Sequence, residues 1–130
     1  MILNETFALA DRVAILKLGL GTWRNDDAAV AVVVRNAAAI GYRHFDTAQA
    51  YGNERGVGEG LRASGVARAD LFVTTKLVAE SKSCADATSH IYGSLQALGL
   101  GHLDLMLIHS PQPWAEFRDG GDFDAGNLDA

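Results

Sequence analysis

Four side chains able to take part in acid-base chemistry stand at or just beyond the ends of predicted β-strands. In chain order they are Asp46, Tyr51, Lys76 and His109. Because the carboxyl ends of parallel strands meet at one rim, where barrel enzymes keep their active sites, we expect the four side chains to converge. A phenol beside an ammonium becomes a better acid, since the positive charge stabilises the phenolate. The pattern predicts a site that transfers a proton.

Each of these residues also has a purely structural interpretation. Asp46 could cap a following helix, and Tyr51 could be a partly buried aromatic residue whose hydroxyl reaches water. Lys76 could be a solvated charge, and His109 could be a hydrogen-bonded histidine at the start of a loop. Taken singly, none of them identifies a site. Their joint position at matching strand ends is what favours catalysis.

The segments that must position these residues alternate between strand-like and helix-like patterns, which is typical of a parallel α/β sheet. Short apolar and β-branched runs predict strands over residues 17–21, 42–46, 71–75 and 103–109. Helices are predicted from a cap at Asp26 or Asp27 through Ala39, over residues 53–63, and over residues 85–98 before Gly99. A hairpin is predicted within residues 2–16, with its turn at residues 10–12.

Composition limits the class of protein. Hydrophobic residues make up 48% of the chain and the formal net charge is -5, so a globular protein is predicted and a nucleic-acid partner is not. No apolar run approaches the ~20 residues that span a bilayer, and the amino terminus lacks a signal-peptide pattern, so no membrane partner is expected and a cytoplasmic location is the default. The single cysteine, Cys84, is interpreted as a small helix residue. No metal site is predicted.

Two motifs are similar to those of a known enzyme family. The first is the run Leu-Gly-Leu-Gly-Thr-Trp at residues 18–23, and the second is Gly-Tyr-Arg-His-Phe-Asp-Thr-Ala at residues 41–48. The second is followed at matching spacing by Glu54, Val57, Gly58 and Leu61. In these motifs, and from about residue 2 to residue 114, the chain resembles the aldo-keto reductases.

The resemblance implies an α/β fold of the (β/α)8 TIM-barrel type, with only about the first four strands and three helices present in this chain. One partial barrel domain would then cover residues 1–130. Residues 1–16 would form an amino-terminal hairpin, residues 17–110 the first half of the barrel, and residues 111–130 a loop and the start of a cut helix. A complete barrel of this type needs about 250 residues.

The resemblance also implies an NADPH-dependent carbonyl reductase, with NADH as the alternative cofactor and a small aldehyde or ketone as substrate. The family's catalytic positions fall on Asp46, Tyr51, Lys76 and His109. Tyr51 would donate the proton, Lys76 would make its phenol a better acid, and Asp46 would keep Lys76 charged and oriented. His109 would hydrogen-bond the substrate oxygen and so place the carbonyl carbon.

The implied binding positions lie around the same strand ends. Cofactor-binding positions fall on Gly21, Thr22, Trp23 and Asp46, and substrate-binding positions fall on Trp23, His109 and Ser110. Ser110 stands where some relatives carry tryptophan, so a more open and more polar pocket is expected.

The glycine-rich run at residues 56–60 lacks the spacing of a dinucleotide-binding fingerprint and follows a helix start instead of a strand. We therefore interpret it as part of the second helix. Gly58 matches the family, in which a small residue there lets the helix approach a strand closely. Gly56 and Gly60 are expected to weaken the helix by about 1 kcal/mol each relative to alanine.

Two alternatives to a reductase remain open. The chain could be an inactive truncated half-barrel that self-associates through its open strand edges or pairs with a missing half, since unpaired edge strands offer amides and carbonyls to a neighbour. It could also be a non-catalytic relative that keeps the fold for binding. The intact set of four catalytic identities argues against the second alternative.

Overall fold

The computed structural model describes residues 2–113 of the chain. It begins with the predicted hairpin, in which β1 (Thr6–Ala8) pairs antiparallel with β2 (Ala14–Leu16). The turn includes Asp11 and Arg12, both with positive φ (57° and 64°). Aspartate tolerates this left-handed conformation better than most residues do, which explains a tight turn without glycine.

Four parallel strands follow and form one sheet. They are β3 (Gly19–Gly21), β4 (His44–Asp46), β5 (Phe72–Leu77) and β6 (Leu105–Ile108), paired in that order. Three helices lie between them in sequence: α1 (Asp27–Ala39), α2 (Glu54–Ala63) and α3 (Cys84–Leu98). The predicted alternation of parallel strands and helices is therefore confirmed. Of residues 111–130, where a loop and the start of a helix are expected, residues 114–130 lie outside the described residues.

The ends of several elements differ from the prediction for identifiable reasons. Strand β5 continues past Thr75 to Leu77, because Lys76 and Leu77 pair with Leu107 and Ile108 of β6. Helix α3 begins one residue earlier than predicted, because Ser83 caps it by accepting a hydrogen bond from the Asp86 backbone N–H at 3.1 Å. Of the two predicted cap positions, Asp26 and Asp27, the structure shows Asp26, and the predicted stop at Gly99, which has φ 64°, is confirmed.

Strand alternation separates a packed outer face of the sheet from an inner polar face. Phe45 of β4 and Val73 of β5 are fully buried on the side covered by the helices. The rest of this core comes mainly from the helices and comprises Val30, Val34, Ala37, Ala38, Val57, Leu61, Leu71 and Leu98. Since successive side chains of a strand point to opposite faces, Asp46 and Lys76 point away from this core. The apolar packing thus determines which side presents the ionisable groups.

The glycines of α2 let neighbouring helices approach on both of its sides. A Cβ atom built on Gly58 would lie 2.1 Å from the Leu98 carbonyl oxygen of α3. One built on Gly56 would lie 2.1 Å from the Asp27 carbonyl oxygen, and one on Gly60 would lie 2.6 Å from that of Ala31. The expectation that Gly58 contacts a strand was wrong, because its neighbour is a helix end. Gly56 and Gly60 also have a packing role that the sequence did not reveal.

Helix α2 is capped from another helix. Asn53 occupies the position before its first residue but makes no side-chain capping bond. Instead, Asp27 of α1 accepts a hydrogen bond from the Gly56 backbone N–H at 2.8 Å and pairs with Arg55 at 2.7 Å. The Gly56 N–H, with a further contribution from Arg55, holds the pKa of Asp27 below its ordinary value. The side chain of Asn53 therefore does not cap α2, and it bonds the loop after β3 instead.

Candidate functional site

Asp46 and Lys76 meet at the carboxyl ends of two neighbouring strands. Asp46 pairs with Thr74 in the β4–β5 register, so Lys76 lies two residues further along β5 and its long side chain reaches back. The Lys76 Nζ atom lies 2.5 Å from Asp46 Oδ1 and 2.9 Å from the Thr47 carbonyl oxygen. The Lys76 side chain is only 14% exposed. A partly buried ammonium with two oxygen partners is fixed in position.

Tyr51 approaches this ammonium from the loop after β4. It ends a short 3-10 helix, Gln49–Tyr51, and Gly52 closes the turn in the left-handed region with φ 68°. The Lys76 Nζ atom lies 3.4 Å from the Tyr51 hydroxyl oxygen and 5.1 Å from the centre of its ring. Asp46, Lys76 and Tyr51 therefore form one connected group. Its hydrogen bonds run from a carboxylate through an ammonium to a phenol.

His109 completes the cluster from the end of β6. Its backbone N–H donates to the Leu77 carbonyl at 3.1 Å and so extends the parallel pairing by one residue. Its ring makes an edge contact with the Tyr51 ring, with 5.6 Å between the centres. Burial, followed by the charge of Lys76, lowers the pKa of His109 below its ordinary value, although Asp46 and Glu80 oppose this. The imidazole is accordingly neutral at pH 7 and has one N–H to donate.

The loop after β3 borders the cluster of Asp46, Tyr51, Lys76 and His109 on another side. Trp23 is 63% exposed, and its ring centre lies 6.4 Å from that of Tyr51. Arg24, which has a positive φ of 63°, stacks on the Trp23 ring at 4.5 Å. Gly21, at the end of β3, has no atom within 4 Å of the place where a Cβ would stand. An aromatic face and a bare stretch of backbone therefore border the cluster.

Two of the predicted binding residues are buried. The Thr22 side chain is fully buried, and its hydroxyl and its backbone N–H both donate to the Asp46 carbonyl, at 3.2 and 3.0 Å. Thr22 thus fixes the loop after β3 to the end of β4. Ser110 is also buried, at 7% exposure, directly after His109. All four predicted catalytic side chains lie in one cluster, Trp23 borders it, and Thr22 supports it from beneath.

Sequence reasoning missed the residue that joins the two rim loops. Asn53 is 1% exposed, and its amide nitrogen donates to the carbonyls of Thr22 and Asn25 at 2.8 and 2.9 Å. Its amide oxygen accepts from the Thr47 hydroxyl at 3.3 Å. The sequence had assigned Asn53 to the helix itself. An asparagine directly before a helix normally caps that helix, so no local pattern could reveal its long-range partners.

Residues 2–113 contain neither a candidate metal site nor a candidate membrane-spanning helix. No group of three or more histidine, cysteine, aspartate or glutamate side chains there is placed to hold a metal ion. None of the helices in that range is long and apolar enough to cross a membrane.

Comparison with solved structures identifies the type of sheet. An aldo/keto reductase from Brucella melitensis has a TM-score of 0.81 at 39% identity, with 88% of this chain and 47% of that chain covered. The aldo-keto reductase of Bombyx mori, solved in complex with NADP, has a TM-score of 0.79 at 33% identity, with 89% and 46% covered. The fold is thus of the (β/α)8 TIM-barrel type, and the described residues contain four barrel strands and three helices.

Comparison of sequences gives the family. The model of the aldo/keto reductase family matches residues 17–123. The 9,11-endoperoxide prostaglandin H2 reductase of Trypanosoma cruzi is 46% identical over 104 residues, which are 79% of this chain and 37% of that protein. The methylglyoxal reductase DkgA of Salmonella typhimurium is 42% identical over 105 residues, or 81% and 38%. The chain spans less than two-fifths of the length of these two relatives. It belongs to the aldo/keto reductase family.

Proposed function

We propose that this protein is an NADPH-dependent reductase of small aldehydes and ketones, with Tyr51 as the proton donor. The observation that carries the proposal is the position of Lys76, whose Nζ lies 2.5 Å from Asp46 Oδ1 and 3.4 Å from the Tyr51 hydroxyl. A phenol gives up its proton readily only where the phenolate is stabilised, and an adjacent ammonium does this. The carboxylate on the other side of that ammonium holds it beside the phenol.

Each residue of the cluster has a part in the proposed reaction. The carbonyl carbon of the substrate receives a hydride, and its oxygen receives the proton of Tyr51, which gives an alcohol. Lys76 then stabilises the phenolate that Tyr51 becomes, and Asp46 holds Lys76 in place. His109, neutral because burial lowers its pKa, donates its N–H to the carbonyl oxygen and orients it. Trp23 and Ser110 complete the proposed substrate-binding set.

The hydride must come from a cofactor, and a nicotinamide supplies it when bound. The rim offers surfaces that fit such a group, since Gly21 leaves its backbone uncovered and Trp23 presents an exposed aromatic face. We propose Gly21, Thr22, Trp23 and Asp46 as the cofactor-binding residues, with Thr22 acting through the loop that it holds. The Bombyx mori relative was solved with NADP, which supports NADPH over NADH as the first choice.

A direct assay tests the proposed reductase. The chain is mixed with NADPH and a generic aldehyde, and loss of the nicotinamide absorbance is followed for wild type, Tyr51→Phe and Tyr92→Phe. Tyr92 is 64% exposed on α3 and makes the matched control, because the same hydroxyl is removed away from the cluster. We expect turnover in wild type and Tyr92→Phe and a loss of at least about 100-fold in Tyr51→Phe. Equal rates in all three proteins would refute the role of Tyr51.

A second candidate function is self-association as a half-barrel, in which residues 1–16 would form the hairpin, 17–110 the first half of a barrel, and 111–130 a loop and the start of a cut helix. It is favoured by the sheet edges, because β3 and β6 each have one strand neighbour among residues 2–113, and Ile108 on β6 is 75% exposed. Sedimentation of wild type, Ile108→Lys and Ile40→Lys tests it. Ile40, 70% exposed after α1, is the matched control. Oligomers lost only in Ile108→Lys would support pairing through β6, and a monomeric wild type would exclude it.

A further inference from the structure

The turn that carries Tyr51 is shaped by local hydrogen bonds. The Tyr51 backbone N–H donates to the Ala48 carbonyl and the Gly52 N–H donates to the Gln49 carbonyl, each at 3.1 Å. These bonds close the 3-10 helix but join it to nothing beyond residues 48–52. The distance between the Tyr51 hydroxyl and Lys76 therefore depends on what connects this turn to β5.

Thr47, directly before the turn, bonds Thr74 and Lys76 of β5, each at 2.9 Å. Within the turn itself, the Gln49 side chain makes a further connection. Its amide oxygen accepts from the backbone N–H of Val78, the residue directly after β5, at 2.9 Å. Its amide nitrogen donates to the His90 carbonyl at 2.6 Å and to the Ser94 hydroxyl at 2.8 Å, both on α3. The Val78 N–H can only donate and the His90 carbonyl can only accept, so these two partners assign the amide oxygen and the amide nitrogen of Gln49. One side chain thus ties the turn to the strand of Lys76 and to a helix.

These bonds continue into a chain that returns to β5. The Ser94 hydroxyl donates to Glu54 Oε2 at 3.1 Å, and the Thr75 hydroxyl donates to Glu54 Oε1 at 2.6 Å. Ser94, Glu54 and Thr75 are all buried. Thr75 directly precedes Lys76 and points to the opposite face of the strand. The chain is therefore bonded on both sides of Lys76, by the Thr75 side chain on β5 and by the Val78 backbone N–H just beyond it, to one network that includes Gln49.

We infer that Gln49 is a positioning residue, which sets the place of the Tyr51 hydroxyl relative to Lys76 and His109 by holding the turn against β5 and α3. The inference rests on the proposed function for its consequence in catalysis, but the geometry exists independently of turnover. Gln49 touches none of the proposed reacting atoms. It acts through the turn, of which it is the first residue and Tyr51 the last.

The directions of the three hydrogen bonds of Gln49 require an amide at this position. Methionine has nearly the same length but offers neither the donor nor a strong acceptor. Glutamate would still accept from Val78, but its second oxygen would face the His90 carbonyl, and Ser94 already donates its only proton to Glu54. Neither substitution can reproduce the three bonds of Gln49.

The test has a structural readout and a kinetic one. A proton NOE between the rings of Tyr51 and His109, whose centres lie 5.6 Å apart, is measured for the full chain in wild type, Gln49→Met, Gln49→Glu and Arg62→Met. Arg62 is the matched control, because its guanidinium bonds the Leu98 carbonyl at 2.8 Å and so also joins a neighbouring element to α3, away from the turn. Ser94→Ala is a milder variant that removes one of the bonds of Gln49.

We expect the NOE to be lost in both Gln49 variants, weakened in Ser94→Ala and retained in Arg62→Met. Where the wild-type chain reduces an aldehyde, kcat should fall about 10- to 100-fold in Gln49→Met with KM little changed, as expected for a misplaced proton donor. An unchanged NOE in folded Gln49→Met or Ser94→Ala, or equal weakening in Arg62→Met, would overturn the inference. A wild-type chain without turnover would count against the proposed reductase, and the NOE series would still decide the role of Gln49.

Discussion

The close packing of α2 against α3 can be tested by adding a single methyl group at Gly58. A Cβ there would lie 2.1 Å from the Leu98 carbonyl oxygen and 2.6 and 2.8 Å from the Leu98 carbonyl carbon and Cα. All three are backbone atoms, so no side chain can rotate away. Ordinary contact begins at 3.4 Å, so the helices must separate by roughly 1 Å, which breaks native packing density.

The expected magnitude follows from two opposing terms. Alanine is more favourable than glycine inside a helix by about 1 kcal/mol. Overpacking of a close-packed core costs about 1–3 kcal/mol and occasionally more, and a backbone obstacle favours the upper end. Gly58→Ala should then lower the free energy of unfolding by about 1–2 kcal/mol. In a domain of this size that lowers Tm by roughly 3–10 °C.

The assay is urea unfolding followed by circular dichroism, with Gly93→Ala as the matched control. Gly93 lies inside α3, is exposed, and has no atom within 4 Å of its missing Cβ. The same substitution there should stabilise the chain by up to about 1 kcal/mol, because only the helix preference changes. If Gly58→Ala proves as stable as Gly93→Ala, the close approach of α2 to the end of α3 is wrong.

Two further predictions concern the rim. The pKa of His109 is lowered in the folded chain, so the unfolded chain binds more protons just below pH 6.5. The free energy of unfolding should therefore fall as the pH drops through this window. It should fall less steeply in His109→Asn. Urea unfolding at pH 7.5 and 5.5 measures this, and equal pH slopes would contradict it. Asn53→Ala leaves the carbonyls of Thr22 and Asn25 without their amide donor and should cost about 2–4 kcal/mol in unfolding free energy. Asn53→Asp keeps the size but not the donor, so wild-type stability in that variant would refute the assignment.

The sequence predicted the fold well where a local pattern carries the information. A cap at Asp26 and a left-handed stop at Gly99 depend on the residue itself and its nearest neighbours, and both are confirmed. The end of β5 was predicted two residues too early, because its last residues extend only by pairing with β6. The packing role of Gly56 is likewise invisible locally, since it depends on where α1 crosses α2.

The candidate site shows the same division. Asp46, Lys76 and His109 could be selected because strand ends are predictable and parallel strands bring their carboxyl ends together. Gln49 and Asn53 could not be selected, because most of their partners are backbone carbonyls and N–H groups from remote segments, and nearly every residue type offers those groups. The chemistry-bearing residues are thus readable from residue type, whereas the residues that hold them in place require coordinates.

The alternation along β5 joins stability to the proposed catalysis. Thr75 points outward to the buried Glu54 carboxylate, and Lys76 points inward to Asp46 and Tyr51. Any change that moves β5 relative to the outer layer must therefore also move the ammonium relative to the phenol. We therefore expect substitution of Glu54 to change the distance between Lys76 Nζ and the Tyr51 hydroxyl as well as the stability of the chain.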